Sequence, residues 1–216
     1  MAEQVTMTSP TSPTSPLDAR VAGAQLRRSP LAHLEEALWE GTNPGAALHE
    51  VPFLTMVGLR ADPASPAGDA LSAAAGAPLP TRCGEVSGSP AGTAILWQGP
   101  DEFLLVAPDG SDAARELAVA LGDAPGAVVD LSANRTTLEL SGPSARKVLE
   151  KGCPLDLHPR VFKPGTAVST LLGPVPVLLW QVDETTYRIF PRASFAEYVA
   201  RWLLDAVAEF GSPEVP

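Results

Sequence analysis

The sequence predicts an α+β protein built from two split β-α-β units packed against each other, and three observations carry that expectation. Apolar runs of strand length alternate with helical stretches in both halves of the chain. Each half holds helices enough to cover only one face of a sheet. The rhythm of the first half recurs, more sharply, in the second. With 216 residues, 45% apolar and 19% charged, the chain falls among globular proteins, and one large or two small domains can bury a core.

Residues 8–16 read TSPTSPTSP, three tandem copies without a large apolar group, so residues 1–28 are expected to be a disordered leader. Ser29-Pro30 opens a helix carrying Leu31, Leu34 and Leu38 up to Gly41. Phe53–Arg60 reads as a strand, and an Ala-rich helix is expected around Asp69–Ala75. Ala94–Trp97 and Phe103–Ala107 form a hairpin across Gly99–Glu102. Ser111 then caps a helix bearing Leu117 and Leu121 and closed by Gly122. These elements make a first unit over 29–126.

The second unit, 127–216, starts with strands Ala127–Leu131 and Thr136–Leu140, joined as a hairpin by a turn in which Asp130, Ser132 and Asn134 bond the backbone. A helix over Pro143–Lys151 follows, then strands Thr166–Leu172, Val175–Gln181 and Thr186–Phe190. The last helix begins at Ser194-Phe195-Ala196-Glu197, which has the form of a capping box. Phe195, Val199, Trp202, Ala206 and Phe210 make its expected core face, with Ala196, Ala200, Leu203 and Val207 in a second apolar row. Such breadth means that the helix is either central in its own unit or pressed against another chain.

Fifteen basic residues against twenty-five acidic ones, net −10, argue against non-specific nucleic-acid binding, which rests on neutralising phosphates. The most apolar stretch, Val175–Trp180, is short and broken by Pro176, so no membrane span is expected. Met1–Leu17 contains Glu3, neither Lys nor Arg, and no apolar centre, so the protein is expected to be cytoplasmic. Cys83 and Cys153 are too few for a disulfide framework and read as reduced, buried or half-buried thiols.

No phosphate cradle of the GxGxxG or GxxxxGK[ST] type occurs. Ser87 lies in GEVSG and reads as a loop serine. His33, His49 and His158 are far apart, and only Glu36 shares a helix face with His33, which is half a metal site. Asp130, Asn134, Arg135 and Glu139, in DLSANRTTLEL, form the densest polar group; beside a functional role stands the turn already described, with Arg135 paired to a carboxylate. No catalytic, cofactor-binding or metal-ligating residue is therefore assigned.

The block VDLSANRTTLELSGPSARKVLEKGCPLDLHPRVFKPGTAVSTLL, residues 129–172, closely resembles the gamma subunit of heterotetrameric sarcosine oxidase. RSPL at 28–31, LWQGPDEFLLVAP at 96–108 and RASFAEYVARWLLDA at 192–206 extend the resemblance from Ser29 nearly to Phe210. Ala133 stands where that family commonly has His, which weakens a specific role for that loop position. More distantly, the D-x-S turn, the SGPxA helix start and the PGxAxxTLL strand resemble the aminomethyltransferase of the glycine cleavage system. This implies an aminomethyltransferase-like fold of two ferredoxin-like units. In those relatives the strand after TLL leads to an acidic pair, one carboxylate of which works on the folate-bound one-carbon group. Here Leu172-Gly173-Pro174-Val175 follows, and no carboxylate appears until Asp183.

The resemblance implies a non-catalytic structural subunit of a complex that oxidises sarcosine to glycine, forming hydrogen peroxide and a one-carbon product on tetrahydrofolate. It implies alpha, beta and delta partner chains, with FAD, NAD and the tetrahydrofolate site on alpha, FMN on beta and zinc on delta. None of those binding residues maps onto this chain. Two other readings stand beside it: a free-standing folate-binding one-carbon transferase-like protein, and an adaptor that presents DLSANRTTLEL as a peptide-binding edge strand.

Overall fold

The computed structural model describes residues 26–211; all but the last three residues of the expected leader lie outside them. In chain order the elements are α1 (Glu35–Glu40, after a 3-10 turn at Ala32–Leu34), β1 (Ala47–Glu50), β2 (Thr55–Arg60), α2 (Pro66–Ala75), β3 (Val86–Gly88), β4 (Ala94–Gly99), β5 (Glu102–Ala107) and α3 (Ala113–Leu121). Then follow β6 (Ala127–Asp130), β7 (Leu138–Ser141), α4 (Ala145–Glu150), β8 (Thr166–Leu172), β9 (Val175–Gln181), β10 (Thr186–Pro191) and α5 (Ala196–Ala208).

Two antiparallel five-stranded sheets result, ordered β3-β4-β5-β2-β6 and β8-β9-β10-β7-β1. The orders correspond place for place, so each unit runs strand, helix, three strands, helix, and needs one more strand beside its first. In the first unit β6 fills that place directly after α3. In the second unit it is filled by β1, from the beginning of the chain, with His49 opposite Glu139. A division at residue 126 therefore does not separate the sheets: 127–130 complete the first sheet and 47–50 complete the second. The expected hairpin between Ala127–Leu131 and Thr136–Leu140 is absent for the same reason, because its two strands belong to different sheets.

Alternation along the central strands fixes the layers. On β5, Phe103, Leu105 and Ala107 meet α2 and α3, whereas Leu104 and Val106 face the other sheet. On β9, Val177 and Leu179 meet the helices α4 and α5, while Leu178 and Trp180 turn to the first sheet. Met56, Leu96, Leu104, Leu178, Trp180 and Phe190 form the seam between the sheets. Helices thus cover the two outer faces and the sheets cover each other.

Local chemistry sets the helix ends. α2 starts three residues before Asp69 because Ser65 is its N-cap, accepting a hydrogen bond from the Gly68 N–H at 3.1 Å, and Pro66 is its first residue. Gly76, at φ 70°, ends it in the left-handed conformation. The capping box expected at Ser194 does not form: Ala193–Phe195 make a 3-10 turn, and Ser194 gives no side-chain cap. Glu197 instead meets the Arg201 guanidinium at 3.0 Å and His33 at 3.3 Å.

The core face of α5 is Ala196, Val199, Ala200, Leu203, Ala206 and Val207. What was expected as its second row is thus the centre of the unit, while Phe195 is exposed. Trp202 is half-buried and lies over Gly152, where a Cβ would stand 2.5 Å from its ring. That aromatic ring is seated in its own unit.

The sheets are joined by residues 131–137. The Asp130 carboxylate accepts from the Ser132 hydroxyl at 2.6 Å and from its N–H at 2.9 Å, and the Ser132 oxygen accepts from the Met56 N–H at 3.1 Å. The Ser132 hydroxyl, followed by its N–H, holds the Asp130 pKa below its ordinary value.

Phe190→Ala is expected to cost about 3–5 kcal/mol by opening the seam, whereas Val119→Ala on the exposed side of α3 stays within about 0.5 kcal/mol; urea unfolding measures both. Trp202→Asp is expected to lose folding and assembly together, read by circular dichroism beside co-purification. Because the folded pKa of Asp130 is depressed, its contribution is whole above the unfolded pKa and is lost as pH falls through the folded value. Ser132→Ala is therefore expected to raise the Asp130 midpoint in a carboxyl NMR titration and to narrow that acid-sensitive window.

Candidate functional site

Antiparallel register brings together a row of polar residues on neighbouring strands: His49 of β1, Glu139 of β7 and Arg188 of β10 are successive partners, with Trp180 of β9 next. Arg188 Nε donates to Glu139 Oε2 at 2.9 Å, and both side chains are mostly buried, at 15% and 19% exposure. His49 Nε2 stands 3.6 Å from Glu139 Oε1. The Arg188 Nη1 donates across to the Pro90 carbonyl of the first unit at 2.9 Å, and its guanidinium lies 5.4 Å from the Trp180 ring centre.

A cavity of about 230 Å3 opens beside Arg188 and Trp180, closed on its other side by Leu54 and the Ser89–Gly92 loop. The Trp180 indole N–H is buried and makes no hydrogen bond among the described residues. Arg188 and Glu139 are held in an ion pair with each other. The row presents no nucleophile with an adjacent base, so its chemistry is that of a clamp, fastening a loop of one unit to a strand of the other.

DLSANRTTLEL is divided rather than gathered. Asp130 serves the turn at the edge of the first sheet, and Glu139 belongs to the clamp. Asn134 is exposed; its N–H bonds the Leu131 carbonyl and its own carbonyl accepts from Ala193. Arg135, expected to meet a carboxylate, donates to the Phe190 carbonyl at 2.8 Å. Burial, and secondarily the like charge of Arg192, push its pKa down. Ala133 is exposed beside them.

His33 meets Glu197 rather than Glu36, and His158 Nδ1 accepts from the Arg160 N–H at 3.2 Å. Cys153 is buried, its sulfur 3.8 Å from the Thr170 hydroxyl, but Cys83, expected to be at least half-buried, is exposed. Ser87 sits in the short strand β3 rather than a loop. Among the described residues no three His, Cys, Asp or Glu side chains gather as a metal site, and no helix is long and apolar enough to cross a membrane.

Leu172 and Val175 are paired at the end of the β8–β9 hairpin, whose turn holds Gly173 at φ 56°. The next carboxylate, Asp183, lies at the opposite end of β9. It accepts from the Thr185 N–H at 2.8 Å and lies 3.2 Å from the Thr185 hydroxyl, and the backbone bond leads in holding its pKa low. A carboxylate kept ionised to close a turn is poorly suited to proton handling on a bound one-carbon group. The residues at this position do not fit that role.

A family model described as "Sarcosine oxidase, gamma subunit family" matches residues 58–209. Sarcosine oxidase subunit gamma of an Arthrobacter species is 53% identical over 196 residues, covering 90% of this chain and 97% of that protein. Its counterpart from Corynebacterium sp. strain U-96 is 50% identical over 201 residues, covering 92% and 98%. Among solved structures, a chain of the heterotetrameric sarcosine oxidase from Corynebacterium sp. U-96, in complex with pyrrole 2-carboxylate, is 51% identical with a TM-score of 0.86, covering 89% of this chain and 100% of that one. Glycine cleavage system aminomethyltransferase T from Bartonella henselae shares the fold at 18% identity and a TM-score of 0.62, covering 83% of this chain and 57% of that one. On a match to gamma subunits over nine-tenths of its length, and on the family model over residues 58–209, this chain belongs to the sarcosine oxidase gamma subunit family.

Proposed function

We propose that this chain is a structural, non-catalytic subunit of a heterotetrameric sarcosine oxidase in the cytoplasm. The observation that carries the reading is the match to the whole of a chain from the Corynebacterium enzyme, at 51% identity and a TM-score of 0.86. The state of the candidate site supports it: the polar row is a clamp, and the carboxylate after the β8–β9 hairpin is spent on a turn.

In this reading the alpha, beta and delta chains accompany it and carry the chemistry. FAD, NAD and tetrahydrofolate belong with alpha, FMN with beta and zinc with delta. Sarcosine and oxygen then become glycine and hydrogen peroxide, with the one-carbon unit leaving on tetrahydrofolate. This chain contributes shape and surface rather than a reacting group.

A tagged copy expressed in its native cell is expected to bring down flavin-coloured partner chains with sarcosine-dependent peroxide formation. The chain alone is expected to be colourless and inactive on sarcosine. Recovery of the tagged chain without flavoprotein partners, or tight calorimetric binding of tetrahydrofolate by the isolated chain, would favour a free-standing folate protein instead.

A further inference from the structure

A groove of about 910 Å3 runs beside β1, between that strand and α1, with Phe53 and the Arg27–Ser29 segment at its end. Its floor is apolar, formed by Leu31, Leu38 and Leu48. β1 is an edge strand. Its outer edge is partly covered within the chain, since Ala46 exchanges backbone hydrogen bonds with Asn43 and the Leu48 N–H donates to the Thr42 hydroxyl, so β1 serves the groove as a wall. On the rim Trp39 is 80% exposed. An indole so freely presented beside an apolar floor is the residue type that dominates protein interfaces.

The charges define what fits. Arg27 is bound to Asp109, His33 to Glu197, His49 to Glu139, and Glu50 to Ser29 and Thr136. Among the described residues Glu35 and Glu36, on the same short helix as Trp39, make no ion pair or side-chain hydrogen bond, and both are exposed; Arg28, at the Phe53 end of the groove, is likewise exposed and without an ion pair. Phe53 holds φ at 61°, a left-handed backbone that is strained for an aromatic residue, with the Arg27 guanidinium 4.3 Å from its ring centre. Such strain persists where surrounding structure holds a wall in place.

We propose that this groove receives a segment of another chain of the oxidase assembly, seated on the apolar floor between β1 and α1. An apolar side chain of that segment sits against Trp39, and a Lys or Arg meets Glu35 and Glu36. The inference rests on the subunit role proposed above and deepens it. Two other occupants fit less well. A second copy of this chain, with net charge −10, brings acid to an acidic rim. Residues 1–25 hold one base, Arg20, against Glu3 and Asp18, and so bring no excess of positive charge to the two glutamates.

The test is competitive assembly of the complex. Wild-type and variant chains with different tags are co-expressed with the partner chains, and the ratio in the purified oxidase is read. Trp39→Ala is expected to be incorporated roughly thirtyfold less well, the scale of an interface hot spot. The double substitution Glu35→Lys, Glu36→Lys is expected to lose roughly tenfold at low salt, and less at high salt. Val119→Ser is expected to match wild type. Hydrogen exchange at residues 48–53 is expected to slow on assembly.

Assembly of both groove variants at the wild-type ratio overturns the groove proposal and leaves the subunit role standing. Two further results also overturn it: dimerisation of the isolated chain that Trp39→Ala abolishes, and protection of 48–53 in the isolated chain that vanishes when residues 1–25 are removed. Absence of partner chains beside wild type overturns both readings.

Discussion

The face-to-face packing of the two sheets is the constraint on which the remaining structure depends. Each central strand must present apolar residues on both sides, and β5 does so with Phe103 and Leu105 outward and Leu104 and Val106 inward. A sheet committed on one face to another sheet leaves one face for helices, which is why α2 and α3 gather on the first unit and α4 and α5, joined by Leu31, Leu34 and Leu38 of the α1 segment, on the second. The seam also explains the clamp. Arg188 lies at its margin, where a charged group finds Glu139 and the Pro90 carbonyl while its planar head lies near Trp180.

Much of this order was legible in the sequence wherever one element's pattern sufficed. β8 and β9 fall on the expected Thr166–Leu172 and Val175–Gln181, and the β4–β5 hairpin forms around the Gly99–Glu102 turn. Alternation, or an unbroken apolar run bounded by turn residues, carries that information locally. β1 and β3 went unread because ALHE and VSG are too short to show a period. The exchange of β1 and β6 between the units was illegible for another reason, since pairing partners are set by tertiary fit and not by the strand's own composition. At Ser194 the residues of a capping box are present, but the backbone there makes a 3-10 turn that puts the helix N-cap at Phe195, and Glu197 pairs with Arg201 and His33.

The candidate site divides in the same way. The displacement of the acid beyond Leu172 could be read because position along the chain is what a sequence records. The row of His49, Glu139, Arg188 and Trp180 could not, because its members are spread over some 140 positions and meet only through strand register. His49 and Glu139 each look ordinary alone. What joins them is the closing of the second unit by a strand from the other end of the chain.

That closing strand has a consequence for how the protein is made. β1 leaves the ribosome before any element of its own sheet, and β7 follows only after the whole first unit has been synthesised. At roughly 5–20 residues per second, the wait of some 90 residues lasts several seconds to nearly twenty. Throughout that interval Leu48 and the apolar side chains of the preceding segment have no sheet to cover, while the first unit has all its strands once β6 appears. Nascent chains of this protein therefore pass through a long stage in which one half can fold and the other carries a sticky, partnerless end. Translation speed, and whatever shelters that end, become determinants of yield as real as the stability of the finished fold.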